Sequence, residues 1–434
     1  MGIEITGNLQ WALPLIFLFV FFILKVPVAF SLLCSCILYF IIAGWDLGLL
    51  VEAQISRLYY SWILIAVPMF IFVANILNYS NISDHIFNFA KAIVGPKPGA
   101  LAYVNVVFSI IFAGKTGSAF SDAAGMGKVL CDAMKKDGYT PEFSGAVTAA
   151  SATLAPTFPP SINMVGFAML SGASIGGLFL GGIVPGILMS IVMLLYIRLI
   201  ARRRNFPPGT GHTVKEFLKF FIKVFPALLT PVILMGGIYG GFVTPTEAGA
   251  LGSAWGILIS MLVYRTMGFK TLWRCIKDTA LQCAPILMLI ACSAPLALII
   301  THSGLGAVVS QLFLNITDNK WVFLLIVNII LIFIGMFLDV AIKTWVILPL
   351  ILPVVNYFDI NLVHFGLVFV VNCMISLITP PYGMLVFIGA GVAGAELKGT
   401  FKEVLPFVGM IMVVLFLITY IPNLVLFVPN LLLR

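Results

Sequence analysis

Residues 143–197 contain no aspartate, glutamate, lysine or arginine, and neither do residues 279–317, 360–395 or 404–433. Each run is longer than the ~20 apolar residues that cross a bilayer. Inside hydrocarbon the backbone must satisfy its own hydrogen bonds, and long apolar runs without strict alternation do so as helices rather than as a barrel. The chain therefore reads as an all-α polytopic membrane protein, with about ten spans and several shorter re-entrant pieces by this length criterion. Composition agrees: 61% of the 434 residues are hydrophobic and 9% charged, too few charges to cover a soluble surface.

The net charge of +8 does not point to nucleic acid, because the basic residues lie in short segments beside apolar runs, as cytoplasmic loops do. Arg202, Arg203 and Arg204, with Lys215, Lys219 and Lys223, place residues 201–223 in the cytoplasm. Residues 225–242 then lead out and residues 248–264 lead back to a second basic cluster, Arg265, Lys270, Arg274 and Lys277. Residues 217–221 and 265–278 have the pattern of short helices lying on the membrane surface. Glu247, after Pro245, reads as a helix N-terminal cap.

The seven cysteines, at 34, 36, 131, 275, 283, 292 and 373, lack the spacing of a zinc or redox site and read as packing residues. The first charge is Glu4, with no basic segment before the apolar stretch, so a cleavable signal is not expected. Met1, Gly2 and Thr6 fit a myristoylation string too short to carry weight. The four histidines form no His-Glu-x-x-His pair, and no Gly-x-Ser-x-Gly elbow is present, so an intramembrane hydrolase has no support. Gly114-Lys115-Thr116 resembles the end of a phosphate loop, but position 109 is serine where that motif needs glycine.

The most informative pattern is internal. Gly114-Lys115-Thr116-Gly117-Ser118 precedes Pro159-Pro160 by 45 residues, and Gly335-Met336-Phe337-Leu338-Asp339 precedes Pro380-Pro381 by the same 45. Paired interruptions at matching places in two halves are the sequence sign of a transporter site near the membrane midplane. A proline pair removes two amide donors and frees nearby carbonyls, which are ligands for a hard cation. Two candidate sodium sites follow. The first combines Gly114, Thr116 and Ser118 with the backbone from Ala155 through Phe158 to Pro159; the second combines Gly335 and Asp339 with the stretch that ends in Thr379 and Pro380. The competing reading is that the prolines kink helices and the small residues let helices approach; equal spacing of two breaks favours the sites.

Lys115 and Lys343 sit in apolar or small-residue surroundings, each followed by threonine, Thr116 and Thr344. An intramembrane lysine is a functional candidate by default. Each Lys-Thr pair offers charge and a directed hydrogen bond to a carboxylate or sulfonate; Ser161 and Asn163 complete the candidate substrate group. Two other readings stand: Lys343 pairs with Asp339 four residues earlier, and the register anchored on the prolines sets Lys343 against Asp122 rather than Lys115.

Several segments together resemble the large membrane subunit of tripartite ATP-independent periplasmic (TRAP) transporters. They are residues 112–127, Gly138-Tyr139, Pro159-Pro160-Ser161, Leu178-Phe179-Leu180-x-Gly182-Ile183-x-Pro185-Gly186, Gly237-Ile238-Tyr239-x-Gly241, Thr244-Pro245-Thr246-Glu247-Ala248, His364-Phe365-Gly366 and Thr379-Pro380-Pro381-x-Gly383. The resemblance covers nearly the whole chain. It implies an elevator-type transporter with two re-entrant helical hairpins in an inverted repeat. The implied division is scaffold helices at 1–92, a first repeat at 93–200, a cytoplasmic loop and scaffold or arm helices at 201–280, a second repeat at 281–400, and a C-terminal scaffold helix at 401–434. It also implies sodium coupling, with no other cofactor and no enzyme activity. The implied partners are a small membrane subunit and a soluble periplasmic binding protein that delivers an organic anion, and the implied location is the bacterial inner membrane. The family's first sodium site falls on Thr116, Ser118 and residues 155–159. Lys115, Ala155 and Lys343 depart from the family pattern, and the two lysines imply a strongly anionic substrate. Two further functional readings are a stand-alone or proton-driven transporter of the same fold, and a non-transporting membrane anchor.

Overall fold

The computed structural model describes residues 12–80 and 82–433, with Thr116 followed along its backbone alone. The N-terminal readings at Met1, Gly2, Glu4 and Thr6 lie outside the described residues. Among the described residues there is no β-strand, only an isolated bridge between Pro98 and Pro208.

The chain opens with α1 (Leu13–Ile23), α2 (Val28–Ala43) and α3 (Leu47–Tyr59). It continues into α4 (Ala66–Tyr79), entered through a 3-10 turn, and α5 (Ile82–Val94). A first hairpin follows. Its arms are α6 (Ala100–Thr116) and the pair α7 (Ala119–Gly125) and α8 (Gly127–Lys136), and they meet at Gly117-Ser118. Next come α9 (Pro141–Ala152) and α10 (Ile162–Ser171), the halves of a broken helix, and α11 (Ile175–Arg203). After α12 (Val214–Tyr239), α13 (Pro245–Leu258), α14 (Phe269–His302) and α15 (Leu305–Ile316), the pattern returns. The second hairpin runs from α16 (Lys320–Gly335) into α17 (Val340–Ile342), a π-helical segment at Lys343–Ile347 and α18 (Leu348–Tyr357). The second broken helix is α19 (Leu362–Ile378) and α20 (Met384–Ala393), followed by α21 (Leu397–Tyr420) and α22 (Asn423–Leu432). Hairpin and broken helix thus occur twice, as the equal spacing of the two breaks predicts.

Among the described residues seven helices are long and apolar enough to cross a membrane, or eight if α15 and α16, bent by 114°, form one span; seven more apolar helices have 10–17 residues. The surface helices expected at 217–221 and 265–278 are corrected, because these residues form the first turns of α12 and, from Phe269 on, of α14. At 34 residues, α14 is longer than the ~20 residues a bilayer needs. Glu247 does cap α13, in a reciprocal pair with Thr244, and Thr213 and Glu216 cap α12 in the same way.

Two groups of helices interlock. In one, α2, α3 and α4 pack on α14, and α4 also packs on α13; Asn75 of α4 donates to Thr279 Oγ1 of α14 at 3.0 Å. In the other, α9 packs on α20 and α21, and α11 on α19, α21 and α22. In the segment 401–434, expected as a scaffold helix, α21 and α22 pack on α9, α11 and α19. The 280/281 boundary falls inside the single helix α14.

Buried amides fix each repeat. Asn105 of α6 donates to Thr148 Oγ1 at 2.7 Å and accepts from Ser151 Oγ at 2.8 Å, both on α9. In the second repeat Asn372 of α19 donates to Asn328 Oδ1 of α16 at 2.9 Å, and Asn328 donates to Thr419 Oγ1 of α21 at 3.1 Å. In apolar surroundings such bonds set helix register where Leu-on-Leu packing does not. The two broken helices touch backbone to backbone at Gly145 and Gly389, where a side chain on either would overlap the other's carbonyl.

Candidate functional site

Each hairpin tip is a helix end facing a helix start. Gly117 closes α6 at φ +56°, a left-handed conformation that glycine adopts without steric cost, and Ser118 Oγ then caps α7 by accepting from Ser121 N at 3.4 Å. At the matching position Asp339 caps α17, its Oδ1 accepting from Val340 N at 2.7 Å. Gly117 is pressed onto the first break so closely that a Cβ there would overlap the Pro160 carbonyl oxygen. At the second break Phe337 and Tyr382 rings lie 6.0 Å apart between centroids.

The breaks are built alike. Beyond α9 the chain makes turns through Thr153 to Thr157, both proline pairs take the cis form, and Ser161 Oγ caps α10 by accepting from Met164 N at 3.4 Å. Beyond α19, Thr379 Oγ1 donates back to the Ile375 carbonyl at 2.7 Å.

Between the two tips lies a cavity of about 220 Å³. Ser118, Asn163, Asp339 and Thr344 give it polar edges, and Phe120 and Trp345 give it aromatic walls. Val67 of α4 and Ile286 and Ile290 of α14 close its far side. It therefore sits where the repeats meet the other helix group. The N-terminus of α10 opens at its edge with Ile162 and Asn163, and a helix N-terminus favours negative charge.

The predicted residues divide among three places. Ser118, Asn163, Asp339 and Thr344 share the cavity. Gly114, Phe158 and Pro159 line an apolar groove against Pro231 of α12, and the Phe158 ring sits on Gly186 of α11. Ala155 and Ser161 are fully buried in the first break, and Thr379 and Pro380 lie in the second. The side chain of Thr116 lies outside the described residues.

Neither lysine lines the cavity. Lys115 is buried, donates to Ser83 Oγ of α5 at 3.2 Å and lies 4.5 Å from the centre of the Phe112 ring. Lys343 is fully buried, with Nζ donating to Ser376 Oγ beside Gly335. The ion pairs among the described residues are Lys135–Asp132 and Arg204–Glu403, so the pairing of Lys343 with Asp339 does not form. The π-helical turn that begins at Lys343 carries its side chain toward α19 instead. Two residues escaped the sequence reading, Ser376 and Trp345, and Asp122, named there only by register, is buried with no partner for Oδ2 among the described residues. The repeat register flags Asp122 as the counterpart of Lys343, and places Ser376 opposite Ala155.

Residues 15–424 match the family described as "Tripartite ATP-independent periplasmic transporter, DctM component". The chain belongs to this family. It is the large membrane subunit of a TRAP transporter, a transporter permease and not an enzyme. It is 35% identical over 99% of its length to the sialic acid TRAP transporter permease SiaT of Haemophilus influenzae, of which it spans 70%. It is 32% identical over 96% of its length to the isethionate TRAP transporter permease DctMQ of Oleidesulfovibrio alaskensis, of which it spans 66%. In fold it is similar to the YdaH transporter of Alcanivorax borkumensis, with a TM-score of 0.60 at 15% identity, covering 85% of this chain and 86% of that one.

Proposed function

We propose that this TRAP subunit imports a small organic anion, a carboxylate or sulfonate, in step with sodium. The observation that supports this most is the convergence of both hairpin tips and the start of α10 on one cavity at the boundary between the two helix groups. Freed carbonyls at the first break, with Ser118, are suited to the sodium ion; Asn163 and Thr344 are suited to donate to the anion. Sialic acid and isethionate, named for the relatives, are a carboxylate and a sulfonate of that class.

Movement is by an elevator: α6–α11 and α16–α22 slide as a unit against α2–α4 and α12–α14, carrying the cavity across. The anion arrives on a soluble periplasmic binding protein, and a small membrane subunit extends the static frame, in the bacterial inner membrane. Reconstituted with both partners and offered sialic acid or isethionate in turn, the chain takes up one of these anions with sodium outside and loses that uptake when potassium replaces sodium. Equal uptake in both salts contradicts sodium coupling.

A proton-driven version has one observation in its favour, the buried Asp122 Oδ2, without a partner among the described residues. It predicts uptake that follows a proton gradient in sodium-free medium.

A further inference from the structure

Gly335, Asp339, Lys343, Ser376 and Pro380 stand at the same mutual spacings as Gly114, Ser118, Asp122, Ala155 and Pro159. The second break therefore has Ser376 where the first has Ala155, and Lys343 where the first has Asp122. Lys343 is fully buried, and its Nζ fills the space between Gly335 and Ser376; a Cβ on Gly335 would overlap both. Ser376 gives its own proton to the Cys373 carbonyl at 2.8 Å, which leaves its oxygen lone pairs to face the ammonium. Among the described residues no carboxylate forms an ion pair with Lys343. A charge taken out of water without such a partner is costly, and an apolar side chain of similar size would fill the same space without that cost.

We infer that the Lys343 ammonium is the second break's own cation: tethered to the hairpin, it occupies the place that repeat symmetry assigns to a second coupling ion. The first repeat keeps an exchangeable cation at its break; the second carries its positive charge on a tethered side chain. The chain then binds one sodium ion where two matching breaks would otherwise bind two. This rests on the reading of the breaks as cation sites, and the test separates the two ideas.

The purified full-length subunit, with its membrane partner, is unfolded thermally at a series of sodium chloride concentrations, with choline chloride holding ionic strength constant. Each ion bound only by the folded state changes the unfolding constant tenfold per tenfold change of sodium at saturation. The wild type is expected to show a tenfold dependence. Lys343→Ala, which vacates the ammonium's place, is expected to show a hundredfold one; Lys343→Ser, which vacates it equally and leaves a hydroxyl there, serves if the alanine variant does not fold. A hundredfold dependence in the wild type overturns the inference without any variant. So does a variant no steeper than a wild type that responds tenfold, and in that case sodium binding at the first break stands. No sodium response in either protein overturns the cation reading of the breaks and this inference with it.

Discussion

Asn163 and Thr344 reach the cavity from opposite repeats, one in the first turn of α10 and one in the π-helical turn of hairpin 2. A hydrogen bond to a charged group contributes about 1.5–3 kcal/mol, and 1.4 kcal/mol is tenfold in affinity. Asn163→Ala or Thr344→Val is therefore expected to raise the anion concentration for half-maximal uptake about tenfold or more, while the sodium dependence of thermal unfolding stays as in the wild type. Uptake at wild-type affinity in both variants contradicts the placement of the anion. The two lysines that precede a threonine show what spacing alone leaves open. Lys115 and Lys343 sit in stretches apolar on all sides, so no amphipathic stripe fixes which way either points, and one residue of helix turns a side chain by about 100°. Both turn away from the cavity, toward Ser83 and Ser376.

The hairpins depend on how closely their tips approach the breaks. At Gly117 the backbone is left-handed, and any side chain would run into the Pro160 carbonyl. Left-handed backbone costs a non-glycine residue about 1–2 kcal/mol, and the overlap adds to it. Gly117→Ala is expected to lower the thermal midpoint and to cut uptake more than tenfold; Gly125→Ala, where nothing lies within 4 Å of the added methyl, serves as its control. Equal losses in the two would dissociate the tip from transport. These tips were legible in the sequence because proline and glycine mark where a membrane helix cannot continue, and because the interval repeats. The groove that takes Gly114, Phe158 and Pro159 was not, since it is created by Pro231 and its neighbours on α12, more than seventy residues away in sequence.

For the whole molecule, hydropathy and charge identify a membrane protein, but not which helices pack together. The C-terminal helices α21 and α22 read as ordinary apolar segments, and their packing on α9, α11 and α19 is not legible in them. Likewise α14 runs through the expected domain boundary because an apolar helix continues smoothly past it. The cavity lies between the helix groups, so a cation and an anion held there together must cross together, and coupling of that kind is reciprocal. The most direct test is radioactive sodium entry into proteoliposomes containing the subunit and its partners, with an inward gradient of the transported anion and no sodium gradient. The account predicts that the anion gradient drives sodium inward, and that Asn163→Ala lowers this flux about tenfold at an anion concentration below half-saturation of the wild type. Anion entry unaccompanied by sodium would contradict it.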